Sequence, residues 1–116
     1  YSLFVACQCL FDFPAPGQPQ QEAILPVPAW VSYVPMIEIA GGRVVELQTD
    51  ASGDFKITPE QLRKAINPNT RLLMLNSPSN PCGTMYTPAE LKALAQVVIE
   101  MTKTVAPNMV VISDEL

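Results

Sequence analysis

Three side chains far apart in the chain carry most of its chemical interest. Trp30 stands in PAWVSY, Asn80 lies within the stretch LNSPSNPCGTMYTPAEL, and Asp114 follows the apolar run MVVIS. An indole offers a flat face for stacking, a carboxylate can hold a protonated ring nitrogen, and an amide can donate to an oxygen on a ring's rim. Together they suit a planar, nitrogen-containing cofactor. Each type also has a commoner use: Trp in a core, Asn in a turn, Asp as a cap at a strand end. The stretch around Asn80 is also long and stiff, with three prolines and two asparagines between an apolar run and a helix start. Connections in compact domains usually close in about four to six residues.

Other chemistries lack their parts. The chain has no histidine, so no imidazole base, and no GxxxxGK(S/T) or GxGxxG phosphate loop. An apolar strand ending in Asp114-Glu115 is one component of a magnesium-ATPase pattern, but without the phosphate loop it is only a component. Cys7, Cys9 and Cys82 are odd in number and unaccompanied by histidine, which fits neither a disulfide framework nor a metal site. They read as small apolar residues in a reducing compartment, by default the cytosol. A net charge of −4 without a Lys/Arg cluster argues against a nucleic-acid or anionic-membrane surface. No apolar run is long enough to span a bilayer, and no signal peptide is visible.

The elements that would position the three residues follow from pattern. Tyr1 to Phe11 is apolar around most of its circumference and reads as the end of a buried helix, followed by the exposed loop DFPAPGQPQQ. Glu22 to Val27 is a short apolar run bounded by prolines, a strand; Trp30 to Ala40 has helical spacing and ends at Gly41-Gly42. Arg43 to Gln48 is rich in β-branched residues, and a turn at 51–54 follows. Thr58-Pro59-Glu60-Gln61 and Thr87-Pro88-Ala89-Glu90 each place Thr at a cap, Pro at the first helical position and Gln or Glu three residues after the cap. Between those helices Arg71 to Leu75 reads as a strand covered on both faces, and Met109 to Ser113 as another.

Strands alternating with helices predict an α/β fold, a mostly parallel sheet flanked by helices. In such units parallel strands release their following loops at one edge, where ligands bind. The Asn80 loop and Asp114 should therefore meet, and the loop carrying Trp30 joins them if its strand is parallel. Tyr33 and Ser32 fall near that edge, but the sequence does not separate them from helix surface. Glu115 reads as structural, and Arg43, Lys56 and Lys64 as solvated charges. With 116 residues the chain is long enough for one core. Its 48% hydrophobic and 16% charged content, and mean hydropathy of +0.19, are apolar for a small solvated unit. It also opens inside an apolar run and stops just after a strand, so residues 1–116 are expected to be an internal piece of a larger domain.

These motifs carry a resemblance. LNSPSNPCGTMYTPAEL is similar to the N-P-x-N-P-T-G loop of class I/II aminotransferases, the pyridoxal 5′-phosphate enzymes of fold type I. VVISDEL resembles the strand that delivers their pyridine-nitrogen aspartate, and PAWVSY with its following helix and GG resembles the bacterial aspartate-aminotransferase-like branch. FKITPEQLRKAINPNTRLLMLNSPSNPCG continues the likeness in register, which covers nearly everything from Gln21 on. Cys82 stands where Thr is usual.

The resemblance implies that Trp30 stacks on the pyridine ring, Asn80 hydrogen-bonds the phenolic O3′, and Asp114, the catalytic residue within this stretch, pairs with the protonated ring nitrogen. A carboxylate that keeps the ring charged maintains its capacity as an electron sink. The prolines of the loop then have a purpose, to hold the Asn80 amide still. The family also implies cis bonds at Val27-Pro28 and Asn80-Pro81, membership of the large domain of the fold, and a homodimer. The cofactor-bearing lysine, the phosphate-binding residues, the substrate-carboxylate arginine and a Tyr after Leu116 would lie outside this stretch, leaving it inactive in isolation. The implied activity of a full-length parent is amino-group transfer between an L-amino acid, aspartate first, and a 2-oxo acid. A lyase or decarboxylase of the same fold, or a non-catalytic binding domain of a regulator, are the alternatives.

Overall fold

A computed structural model describes residues 2–78 and 82–115. The chain runs α1 (Ser2–Leu10), β1 (Glu22–Val27), α2 (Tyr33–Ile39), β2 (Arg43–Gln48), a 3-10 turn (Ala51–Gly53), α3 (Pro59–Ala65), β3 (Thr70–Asn76), α4 (Pro88–Thr104) and β4 (Val110–Asp114). The four strands form one sheet in the order β2-β1-β3-β4, and every neighbouring pair is parallel.

The central strands explain why their sequences are continuously apolar. Side chains alternate between the two faces of a strand, and here each face is covered. Ala23 and Leu25 of β1 and Leu72 and Met74 of β3 pack with Cys7, Phe11, Tyr33 and Ile37 beneath α1 and α2. Ile24, Leu73 and Leu75 point the other way, against Leu62 and Ile66 from the α3 region and Leu94 and Val97 of α4. Leu72 and Leu73 are both fully buried although adjacent. Each such side chain contributes about 1.5–3 kcal/mol by leaving water. Strands β2 and β4 lie at the sheet's two margins and are more exposed.

Helix boundaries follow the expected local chemistry. Thr58 accepts from the Gln61 N–H at 3.2 Å while the Gln61 side chain accepts from the Thr58 N–H at 3.0 Å. Thr87 and Glu90 repeat the arrangement at 3.2 and 3.3 Å. Both boxes satisfy amides that a helix start leaves without partners. At the end of α2, Gly41 takes a φ of 101°. Its N–H donates to the Glu38 carbonyl, and that of Gly42 donates to the Ile37 carbonyl at 2.9 Å, a double closure that needs a left-handed residue at this point.

The structure departs from expectation in several places. Helix α2 begins at Tyr33, not Trp30, because residues 30–32 form a turn in which the Tyr33 N–H donates to the Trp30 carbonyl at 3.2 Å. Pro35 is tolerated because amides of a first helical turn have no intrahelical partner to lose. Arg43, although largely exposed, is ion-paired with the buried Glu22, and Lys56, largely buried rather than solvated, pairs with Glu90 at 3.1 Å. Glu22 can be buried because the Asn67 amide donates to its other oxygen at 2.7 Å. Of the cysteines, only Cys7 is buried, and burial pushes its thiol pKa up; Cys9 is exposed and Cys82 half-exposed. The Val27-Pro28 bond is cis as expected; Asn80-Pro81 lies outside the described residues, and Ser77-Pro78 is a cis bond that was not foreseen.

Gly42 is also a packing requirement. A Cβ there would stand 2.8 Å from the Phe11 ring and 2.9 Å from Ile37, whereas one on Gly53 meets nothing within 4 Å. Gly42→Ala is therefore expected to destabilise the protein by about 1–3 kcal/mol through overpacking. Gly53→Ala should stay within about 0.5 kcal/mol of the wild type. Urea unfolding of both variants checks this, and equal effects would contradict it.

Candidate active site

The parallel sheet delivers three connections to one edge. Strand β1 leads into residues 28–32, β3 into residues 77–87, and β4 ends at Asp114. Register sets the lateral alignment: Asn76, last in β3, pairs with Asp114, last in β4. The Asn76 side-chain amide donates to the Asp114 carbonyl at 2.9 Å, and the Ser77 N–H donates to the same carbonyl at 3.3 Å. The backbone of Asp114 is thus held from β3, leaving its side chain to be aimed separately.

Tyr33 does the aiming. Its hydroxyl donates to Asp114 Oδ2 at 2.5 Å, a charge-assisted contact across 81 residues of sequence. The Tyr33 side chain is 1% exposed, and its pKa is driven well above the ordinary phenol value, first by burial and then by the hydrogen bond and negative charge of Asp114. The Trp30 ring lies edge-on to it, centroids 5.5 Å apart and planes at 88°. One phenol therefore touches both residues that the sequence singled out in the described part of the site. Sequence reasoning had left Tyr33 indistinguishable from helix surface, since nothing local marks a tyrosine whose partner is on another strand.

Asn80 lies outside the described residues, although both limbs of its loop are placed. Ser77 sits beside Asp114, and Tyr86 is buried with its N–H on the Ser77 hydroxyl at 3.1 Å. A narrow cleft at the ends of β1 and β3 is lined by Pro28, Ala29, Tyr33, Phe55, Asn76 and Tyr86. Phe55, with a φ of 56°, is a further contributor that the sequence did not flag. Glu115 accepts from the Ser113 hydroxyl at 3.0 Å and plays a local part.

The residues present fit a flat ring with a protonated nitrogen. Among the described residues no Lys or Arg pairs with Asp114, and this half-buried carboxylate has the Tyr33 phenol as its side-chain partner. Trp30 is 39% exposed, an unusual state for an indole held in place by another ring, and leaves surface for stacking. Among the described residues no cluster of His, Cys, Asp and Glu is suited to a metal ion.

Comparison with known proteins shows the family and the fold. The profile of the family described as aminotransferase class I and II matches residues 4–115. This chain belongs to that family. The aspartate aminotransferase of Geobacillus stearothermophilus is 40% identical over 116 residues, all of this chain and 26% of that protein. The aspartate/prephenate aminotransferase of Cereibacter sphaeroides is 44% identical over 98 residues, 84% of this chain and 23% of its own length. Among solved structures, the Thermus thermophilus aspartate aminotransferase with maleate superimposes with a TM-score of 0.84 at 38% identity, over 98% of this chain and 27% of that one. This chain therefore spans about a quarter of the length of the relatives it matches. Its α/β sheet is that of the fold-type-I enzymes, which depend on pyridoxal 5′-phosphate.

A buried tyrosine whose pKa is raised stabilises the fold in its neutral form. That contribution is complete below the unfolded-state value of about 10 and is lost as pH rises through the higher folded-state value. The stability advantage of the wild type over Tyr33→Phe is thus expected to shrink between pH 8 and about pH 10.5. Unfolding midpoints at both pH values measure it, and an advantage that stays constant or grows would contradict the burial of Tyr33 against Asp114.

Proposed function

We propose that this chain is an internal part of the large domain of a pyridoxal-phosphate-dependent aminotransferase that moves an amino group between an L-amino acid, aspartate in the first instance, and a 2-oxo acid. The observation that carries this reading is the joint contact of Tyr33 with Trp30 and Asp114 at the sheet's carboxyl edge. The names of the relatives support transamination over a lyase, a decarboxylase or a regulator's binding domain.

In this reading Asp114 would hold the protonated ring nitrogen, Trp30 would stack on the ring, and Asn80 would donate to O3′. When bound, the cofactor supplies an electron sink that draws charge from the substrate Cα. The protein's part is electrostatic. A carboxylate fixed by Tyr33 from the side and by Asn76 and Ser77 through its backbone needs little reorganisation to keep the nitrogen protonated. Trp30 would stack against the ring, and its edge-on neighbour Tyr33 limits the tilt of the indole. We place the full-length enzyme in amino-acid biosynthesis, in the cytoplasm and as a homodimer. Among the described residues no helix is long and apolar enough to cross a membrane.

The full-length protein is expected to convert aspartate and 2-oxoglutarate into oxaloacetate and glutamate. Asp114→Ala should lower kcat/KM by on the order of 10²- to 10³-fold, the usual consequence of losing one preorganised electrostatic group. A coupled assay with direct product analysis reads both. Conversion of aspartate to alanine and CO2, or to fumarate and ammonia, without formation of glutamate, or an Asp114→Ala enzyme as active as wild type, would overturn the proposal.

A further inference from the structure

Ser77 occupies a junction. Its N–H donates to the Asp114 carbonyl at 3.3 Å, while its hydroxyl accepts the Tyr86 N–H at 3.1 Å across nine residues of sequence. One residue therefore touches the strand end that carries Asp114 and closes the loop that carries Asn80, which stands three residues after Ser77 and six before Tyr86 in the sequence. Tyr86 is in turn anchored away from the sheet edge. Its phenol oxygen accepts the buried Ile57 N–H at 3.1 Å, and the Lys56 ammonium lies 6.0 Å from its ring centroid. Lys56 completes the circuit by pairing with Glu90 of the α4 capping box at 3.1 Å.

We propose that Ser77 is a positioning residue, with Tyr86 as its pin, that keeps the Asn80 loop in register with Asp114. Two groups that must meet the same ring from different strands need a shared reference point, and the Ser77 backbone and side chain provide one. A hydroxyl is required because the Tyr86 amide needs an acceptor within the loop. Alanine removes that acceptor, and threonine retains it. This role rests on the cofactor reading of Asn80 given above.

The test uses full-length protein with Ser77→Ala, Ser77→Thr and Asn80→Ala, and Val97→Ala as a core variant away from the loop. In cofactor-free protein, hydrogen exchange of the Tyr86 amide, measured relative to the amides of β3, is expected to be about tenfold faster in Ser77→Ala and near wild type in Ser77→Thr and Val97→Ala. In protein reconstituted with pyridoxal 5′-phosphate, the pH midpoint of the change in its visible absorbance should move in Ser77→Ala in the same direction as in Asn80→Ala. It should be restored in Ser77→Thr and unmoved in Val97→Ala. If Asn80→Ala shifts the midpoint and Ser77→Ala does not, or if Tyr86 exchange is unchanged in Ser77→Ala, the positioning role is wrong while the cofactor reading stands. If Asn80→Ala leaves the midpoint where it was, the cofactor role of Asn80 fails and the role of Ser77 falls with it.

Discussion

The hydrogen bond from Tyr33 to Asp114 is the contact on which the site's geometry depends. Asp114 is the last residue of β4, and its half-buried carboxylate needs a side-chain partner to fix its direction. Tyr33 comes from a helix packed on the face of the sheet, so the bond ties the margin of the sheet to its core. The same phenol stands beside Trp30 and relates the indole to the acid. Removing the hydroxyl would leave both residues in the fold but loosen the relation between them. That relation matters more to a planar ligand than the presence of either residue alone.

This contact is possible because of the way the sheet is built. Apolar side chains on both faces of β1 and β3 allow helices on both sides, and parallel pairing sends the chain ends of β1, β3 and β4 to one edge. The Asn76–Asp114 register then fixes the acid to within one residue. A slip by one position would reverse the faces of β4 and carry Asp114 away from Tyr33. Gly42 serves the same end, since it lets β2 leave α2 without displacing Phe11 and Ile37 from the layer under the site.

Much of this was legible in the sequence. The bounds of β1 and β2 and the starts of α3 and α4 were readable because prolines, the Gly41-Gly42 pair and the two Thr capping boxes act locally. The shared edge was readable because strand and helix patterns alternate. Features that depend on distant partners were not. Tyr33 looks like any helix residue until Asp114 is brought beside it, and the pairings of Arg43 with Glu22 and Lys56 with Glu90 join different elements. The start of α2 was read too early because the apolar spacing of WVSYVPMIEI continues through the turn at 30–32. Nothing local marks Ser77 either, because its two partners are the strand end at Asp114 and the far limb of its own connection.

The most direct test is a crystal structure of the full-length protein with pyridoxal 5′-phosphate bound. The account predicts the Asp114 carboxylate within hydrogen-bonding distance of the ring nitrogen, still receiving the Tyr33 hydroxyl, with the Trp30 indole over one ring face and the Asn80 amide at O3′. A ring bound elsewhere, or bound at this edge with Asp114 turned away from its nitrogen, would contradict it.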